Sequence, residues 1–541
     1  MWARHLLFWS LVIAGVLAFG STFLPRAKPQ RPEGFRPWQL KSDEFRSAVS
    51  GVDNLFREQW AAEQVKPADK ADDLTIARRI SLALTGTIPS LEEVRLLEAR
   101  PPEHRVAWWL ARLQEDRRSA DYLAERLARA FVGVNEGPFL LYRRRRFVSW
   151  LSDQLQANRR YDEIVRELIA SSGRWTDTPA TNFITATITP DSDKDPDEAV
   201  LAARVARAFL GVRIDCAECH DHPFEKWKQD DFHGLAAFFG PTTRSVAGIR
   251  DGKDDYQVQD RKTLEIRTVA PRVPFQSELL PSEGGPRTRL ASWVTNRENR
   301  AFARATVNRV WAQMFGRPLV EPLDDIPLEQ EQPVLDALAE DLVAHRYDLR
   351  RLMQVIAATK VFQLDSQESL DDPDAELTPR HQELWAAFPL TRLRPEQVGG
   401  SILQASSLTT LDHEAHIVLR LARDGGQKEF TRRYGDSGEA EFDEHGGTIP
   451  QRLLMMNGNL VEQRTQGRNP LNATPQIALL AHTDGKAIES AYLSILTRRP
   501  TEEELRHFER RLEARRGPNR VRLIEDLCWT LMNSTEFAWN H

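Results

Sequence analysis

The stretch DEFRSAVSGVDNLFREQW, residues 43–60, decides how the fold is interpreted. Its large apolar side chains recur at steps of three and four residues, and they are Phe45, Val49, Val52, Phe56 and Trp60. That spacing aligns them along one face of an α-helix. A second apolar helical stripe lies farther along the chain and comprises Val200, Val205, Ala208 and Phe209. The sequence therefore predicts a mainly α fold.

Two short motifs predict where helices begin. Each is a capping box, in which a hydroxyl side chain accepts from a first-turn amide and a glutamate three residues later reaches back. The pairs are Ser90 with Glu93 and Thr501 with Glu504, and an amphipathic stretch follows each of them. The similarity between the two ends reflects either shared capping chemistry, which we favour, or an internal duplication.

Strand-like alternation is confined to TLEIRTVAPRV, residues 263–273, which predicts a small β-hairpin. Residues 242–285 are rich in Gly, Pro, Asp and Arg and lack helical periodicity, so we place a domain junction there. A chain of 541 residues is too long for one ordinary core. We predict two helical domains, at 42–241 and 286–541, with an irregular or β-hairpin insert at 242–285.

The N-terminal segment predicts export. Residues 6–24, LLFWSLVIAGVLAFGSTFL, carry no charge and are about long enough to cross a bilayer as a helix. We expect a signal anchor or transmembrane helix at 1–24 and a proline-rich linker at 25–41. A cleaved signal peptide is the alternative, because small residues surround Phe19. In both cases the bulk of the chain lies outside the cytoplasm, in the periplasm or at the cell surface.

Charge and cysteine content exclude two classes of protein. Lys and Arg total 73 against 79 Asp and Glu, so the net charge is -6. The chain therefore has no overall positive field that would attract nucleic acid, and a nucleic-acid-binding protein is not expected. Three cysteines are too few for a disulfide-dense scaffold. Cys528 falls on an apolar helical pattern and is expected in the core.

The segment CAECHDH, residues 216–222, concentrates reactive side chains and matches the Cys-x-x-Cys-His pattern of covalent haem c attachment. In this interpretation Cys216 and Cys219 anchor the haem and His220 is the proximal iron ligand. No Met lies between Met1 and Met314, so His233 is the nearest candidate for a sixth ligand. An extracytoplasmic redox partner would then be expected.

Two further interpretations use the same atoms. One is a site for zinc or another divalent metal, in a hydrolytic enzyme with Asp221 or Asp231 as general base. The other is a disulfide or a pair of free thiols. The metal site would draw its ligands from Cys216, Cys219, His220, His222, Asp231 and His233.

Longer motifs carry a family resemblance. They are LTGTIP (84–89), RYDE (160–163) and CAECHDHPFEKWKQDDFHGLAAFF (216–239), then FARATVNRVWAQMFG (302–316), HRYDL (345–349), IPQ (449–451), MNG (456–458) and NSTEF (533–537). With these the chain resembles planctomycete exported proteins in which a cytochrome-associated domain of unknown function precedes a companion domain of unknown function.

The resemblance implies a helical fold, export and a link to cytochromes, but no established reaction. Larger relatives carry a separate N-terminal cytochrome-type domain, where this chain has only its short hydrophobic segment. We therefore expect an exported, membrane-tethered protein that binds haem or a metal and has an electron-transfer or redox role. A zinc-dependent hydrolase and a non-catalytic cell-surface binding module remain alternatives, so whether the protein is an enzyme stays open.

Overall fold

The structure is a computed structural model that describes residue 9 and residues 42–134, 142–188, 195–259, 264–367, 377–412, 430–435 and 448–541. Helix accounts for 60% and strand for 5%, so the predicted mainly α fold is confirmed. The expected anchor at 1–24 and linker at 25–41 lie outside the described residues, except for Trp9. None of the helices within the described ranges is long and apolar enough to span a membrane.

Ten helices between residues 42 and 241 are described, and they include the apolar stripe of residues 43–60 and the helix that follows the first capping box. Phe45, Val52, Phe56 and Trp60 are all buried, as that stripe predicts. The helices are α1 (Asp43–Ala62), α2 (Asp73–Thr85), α3 (Leu91–Glu98), α4 (Pro102–Glu115), α5 (Arg117–Val132), α6 (Arg144–Gln156), α7 (Tyr161–Ala170), α8 (Asn182–Thr185), α9 (Glu198–Val205) and α10 (Gln229–Ala236).

The remaining helices follow the irregular insert. They are α11 (Pro286–Val294), α12 (Arg300–Phe315), α13 (Pro333–Ala344), α14 (Leu349–Ala358), α15 (Lys360–Gln363), α16 (Pro379–Glu383), α17 (Pro395–Ala405), α18 (Ile449–Asn457), α19 (Asn459–Thr465), α20 (Ala473–Leu480), α21 (Asp484–Ile495), α22 (Glu502–Leu512) and α23 (Gly517–Met532). Cys528 is buried on α23, as its apolar context predicts.

Both predicted capping boxes form. At the start of α3, Ser90 Oγ accepts from the Glu93 amide at 3.1 Å, and the Glu93 carboxylate accepts from the Ser90 amide at 3.0 Å. At the start of α22, the corresponding distances between Thr501 and Glu504 are 3.2 and 2.7 Å. The predicted helix starts are therefore confirmed in two distant parts of the chain.

Three two-stranded antiparallel sheets accompany the described helices. β1 (Thr242–Ser245) pairs with β2 (Gly248–Asp251), and β3 (Gln257–Gln259) pairs with β4 (Ile266–Thr268). β4 falls inside the stretch that predicts a small hairpin, and β3 supplies its partner strand. The third sheet joins β5 (Thr391–Arg392) to β6 (Trp539–Asn540).

The larger hydrophobic core draws side chains from both sides of the predicted junction. It extends from Phe45 to Phe388, and Leu493 joins it from α21. Helix α12, which is buried along most of its length, lies at its centre and contacts α2, α13, α14 and the helical turn that follows α9. A smaller core contains side chains from Leu393 to Phe537 together with Leu82 and Ile88. The two cores divide the chain between Phe388 and Leu393, whereas the predicted domain junction lies at 242–285. The domain boundaries therefore stay a prediction.

Two buried arginines of α2 bind the end of the described chain. Arg78 donates to the Phe537 carbonyl at 3.2 Å, and Arg79 Nε donates to the His541 main-chain oxygen at 2.7 Å. Arg79 Nη1 also donates to the Leu364 carbonyl at 2.7 Å. These bonds join α2 to segments that are hundreds of residues away along the sequence.

Candidate functional site

A glycine positions the loop that holds the cysteine pair. Helix α9 continues through a π-helical turn, Ala206–Leu210, and ends at Gly211 with φ of +62°. A Cβ atom at this glycine would lie 3.0 Å from Ile326 Cδ1 and 3.2 Å from Ala305 Cβ. The Gly211 carbonyl accepts from the Ile326 amide at 2.7 Å. Close backbone approach therefore seats the start of the loop against the segment that follows α12.

Both cysteines of the loop are exposed. A short 3₁₀ turn, Asp215–Glu218, follows Ile214, and the Ala217 amide donates to the Ile214 carbonyl at 2.9 Å. Ala217 is buried, whereas Cys216 and Cys219 are exposed free thiols. The turn thus packs its alanine inward and leaves both sulfur atoms accessible to solvent.

The His220 side chain is exposed and has a defined tautomer. Its Nδ1 atom lies 2.7 Å from the Asp221 carbonyl oxygen. A carbonyl oxygen only accepts, so Nδ1 carries the hydrogen and Nε2 of the neutral ring keeps its lone pair. Histidines that bind metals commonly donate their other ring N–H in this way. His220 is therefore suited to coordinate iron through Nε2.

The neighbouring His222 has the opposite arrangement. Its Nδ1 accepts from the Glu225 amide at 2.9 Å and from the Phe224 amide at 3.3 Å. The neutral ring therefore carries its hydrogen on Nε2, which has no lone pair to offer a metal. His222 stabilises the turn that leads to the buried Trp227.

Asp231 is already bound to two partners. One carboxylate oxygen accepts from the Lys228 amide at 2.9 Å at the start of α10. The other lies 3.0 Å from Arg272 Nη2 in an ion pair. These contacts give Asp231 a capping role that the sequence pattern did not reveal.

His233 is buried on α10, where only 3% of the residue is exposed. Its Nδ1 lies 3.1 Å from the Tyr256 hydroxyl, and its buried Nε2 makes no hydrogen bond. Burial lowers the pKa of His233, the charge of Arg267 acts in the same direction, and the Glu218 backbone opposes both. The ring is therefore neutral at pH 7 and packs close to the main chain of the cysteine loop.

The structure does not assemble the metal-binding set that the sequence suggests. Within the described part of the chain, no three His, Cys, Asp or Glu side chains are grouped so that they could hold a metal ion. His222 and Asp231 are engaged in the local contacts given above, and His233 is bonded to Tyr256 through Nδ1 while its buried Nε2 has no hydrogen-bond partner. Cys216, Cys219 and His220 remain as exposed groups within one loop, and they match the donors of a covalent haem site.

Ion pairs with a distant segment also fix the loop, and sequence reasoning missed them. Arg213 Nε lies 2.8 Å from Asp324, and the Arg213 amide donates to Asp325 at 3.2 Å. Lys226 pairs with Glu329 on the far side of the loop. Burial raises the pKa of Asp215 beside this network. Arg213 and Lys226 each lie more than one hundred residues from their partners in the sequence, so no local pattern could have identified these pairs.

Comparisons with known families match two parts of the chain. Residues 51–244 match PSCyt2, protein of unknown function (DUF1549), and residues 286–434 match PSD1, protein of unknown function (DUF1553). The order agrees with the resemblance drawn from the motifs, and the cysteine loop lies inside the first match. No curated protein and no solved structure matches the chain.

Proposed function

We propose, for a chain that joins a PSCyt2 domain to a PSD1 domain, that the loop from Cys216 to His220 is a covalent haem c attachment site and that the protein transfers electrons. We further propose that residues 1–24 tether it to a membrane and that its redox partner is extracytoplasmic. The observation that carries the proposal is the combination of two exposed free thiols with an exposed imidazole whose Nδ1 lies 2.7 Å from the Asp221 carbonyl oxygen.

The residues of the loop have separate roles in this proposal. Cys216 and Cys219 would hold the haem through two thioethers, each made by addition of one S–H across one vinyl group, so that two C–S bonds form and no group leaves. His220 would coordinate the iron through Nε2, and the Asp221 carbonyl would hold the ring in the required tautomer. A bound haem supplies one-electron transfer.

Exposure of the loop favours direct contact with a partner. Phe224, immediately after the motif, is 92% exposed, and Lys226 and Glu329 form an ion pair at the surface. An apolar side chain beside charged groups is typical of small, transient interfaces between redox proteins. His233 does not belong to this exposed surface, because its ring is buried and hydrogen-bonded to Tyr256.

Production of the exported chain together with cytochrome c maturation machinery tests the proposal. We expect a haem absorbance band that survives denaturation, and a mass increase equal to one haem. The double variant Cys216→Ser/Cys219→Ser should lose both signals. The matched control is Cys528→Ser, since this cysteine is buried in the smaller core and should leave attachment unchanged.

Haem that dissociates completely on denaturation would exclude covalent attachment. Equal haem content in the double variant and the unchanged chain would also exclude it. His220→Ala separates attachment from coordination: the thioethers should still form, while the spectrum should lose the features of a histidine-ligated iron.

A further inference from the structure

Three large apolar side chains in and near the cysteine loop are exposed to solvent. Phe224 follows the motif and is 92% exposed. Leu264, just before β4, and Ile266, within β4, are 66% and 67% exposed. Single exposed apolar residues are common on soluble proteins, whereas several that share one surface mark a contact with another molecule. The attachment of the β3–β4 hairpin decides whether these three share a surface.

Helix α10 joins the hairpin to the cysteine loop. Arg267 of β4 forms an ion pair with Asp230 at 2.7 Å, in the first turn of α10. The preceding residue, Gln229, donates its amide to the Asp221 carboxylate at 2.9 Å and its side chain to the Glu218 carbonyl at 3.3 Å. One helical turn therefore binds both the loop and the hairpin, and the three exposed apolar side chains lie in these two segments.

A second contact fixes the base of the hairpin at the same place. Tyr256, just before β3, has its hydroxyl 3.1 Å from Nδ1 of the buried His233 on α10. The Tyr256 carbonyl accepts from the Val269 amide at 2.9 Å, just beyond β4. The hairpin is therefore held against α10 at its base and through Arg267, which keeps it beside the cysteine loop.

The surroundings of the loop carry an excess of negative charge. Residues 191–268 contain 16 Asp and Glu against 12 Lys and Arg, so this part supplies most of the chain's net charge of -6. Three of the cations, Lys226, Arg267 and Arg272, are already in ion pairs with carboxylates. Exposed carboxylates that form no ion pair with any described residue are Asp197, Glu218, Asp221, Glu225, Asp254 and Asp255.

The phenol of Tyr256 responds to this negative charge. Burial raises the pKa of Tyr256 to about 12, and the carboxylates of Glu198, Glu218 and Asp197 act in the same direction. These carboxylates therefore lie around the base of the hairpin, close to the loop. The apolar side chains are thus surrounded by negative charge.

An apolar centre among charges is typical of small, transient complexes between redox proteins. Opposite charge on the partner speeds the encounter, and like charge rejects the wrong protein. We propose that Phe224, Leu264 and Ile266 form the docking surface for a positively charged redox protein, an inference that rests on the function proposed above. The partner presents an apolar patch surrounded by Lys or Arg side chains, which meet the exposed carboxylates around the loop.

Binding of two soluble cytochromes of opposite charge tests the proposal on the full chain in uncharged detergent. At low salt, we expect a lysine-rich basic cytochrome c to bind about tenfold or more tightly than an acidic cytochrome of similar size. Raising NaCl from about 20 to about 200 mM should slow association of the basic cytochrome about tenfold, because salt screens the attraction. Equal affinities for the two cytochromes would overturn the proposal.

Matched pairs of variants locate the surface. Glu225→Lys, beside Phe224, should slow association of the basic cytochrome about threefold or more at low salt, whereas Glu503→Lys on α22 should leave it unchanged. Phe224→Ser should speed dissociation about tenfold, whereas Leu479→Ser, at an exposed position on α20, should not. Equal effects from the two members of either pair would place binding elsewhere and overturn the proposal.

Haem content, measured in the same samples, keeps this test separate from that of the attachment site. A chain without haem that binds the basic cytochrome as described would contradict the attachment site and support the docking surface. A chain that carries haem and binds neither cytochrome would overturn the docking surface and leave the attachment site standing.

Discussion

At the residue scale, hydrogen bonds to the main chain distinguish side chains that look equivalent in the sequence. His220 and His222 lie two positions apart, yet their Nδ1 atoms face a carbonyl in one case and two amides in the other. The sequence predicts the residue types of the candidate site because Cys-x-x-Cys-His is a local pattern. It could not assign the tautomers, since these depend on backbone torsions within the loop.

His233 illustrates the same limit over a longer distance. Its role as a sixth ligand stays a prediction. The structure pairs its Nδ1 with Tyr256, which lies beyond the helix that carries His233. Tyr256 gave no signal in the sequence, because neither its neighbours nor its spacing suggests a contact with α10.

The buried imidazole of His541 should make stability depend on pH. Burial lowers its pKa to about 4, Arg78 and Arg79 act in the same direction, and Glu536 opposes them. An unfolded histidine titrates near pH 6.5, so below that pH the unfolded chain binds a proton that the folded chain excludes. The free energy of unfolding should be highest above about pH 6.5 and fall as the pH approaches 4.

Urea unfolding at pH 7 and at lower pH checks this expectation. His541→Gln should reduce the loss of stability on acidification by an amount on the order of 3 kcal/mol, the value for a pKa shift of this size. The control His507→Gln replaces an exposed histidine on α22 and should leave the pH dependence unchanged. Identical pH dependence in His541→Gln and the unchanged chain would contradict the assignment.

At the element scale, helix starts were predictable because their signals are local. The capping boxes at Ser90 and Thr501 each need only four residues, and both form. The π-helical turn after α9 was not predictable, because Gly211 makes its decisive contacts with Ile326 and Ala305. The shape of the loop that follows therefore depends on packing against another part of the chain.

Replacement of Gly211 by alanine should destabilise the protein by about 1 to 3 kcal/mol. Its positive φ is unfavourable for an L-residue, and the new Cβ would press on Ile326. Gly51→Ala is the matched control: it lies inside α1 with no atom near the added Cβ, so it should stabilise by about 0.5 to 1 kcal/mol. Urea unfolding of both variants measures the difference, and a Gly211→Ala chain of unchanged stability would refute this account.

At the scale of the whole molecule, α2 connects the two cores. Leu82 packs in the smaller core, while Ile80 and Leu84 of the same helix pack in the larger one. Arg78 reaches the Ile495 carbonyl, 417 positions away. The sequence predicts a mainly α fold, but helical periodicity says nothing about which distant segments a helix binds.

We expect the two cores to unfold together, because α2 cannot leave one core without disturbing the other. Tryptophan fluorescence reports mainly the larger core, where Trp109, Trp293 and Trp311 are buried. In a chain without Cys216 and Cys219, pulsed alkylation of Cys528 reports exposure of the smaller core. Both signals should change at the same urea concentration. Alkylation of Cys528 at concentrations that leave the fluorescence unchanged would show that the cores unfold separately.

The shared core also limits how the two segments can be recombined between related genes. The PSCyt2 and PSD1 segments together fill the core around α12, where close packing tolerates little change in side-chain volume. A genetic crossover between residues 244 and 286 would combine halves whose interior shapes arose in different lineages. Such a hybrid would contain voids and clashes, so the two segments should pass from ancestor to descendant as a single unit.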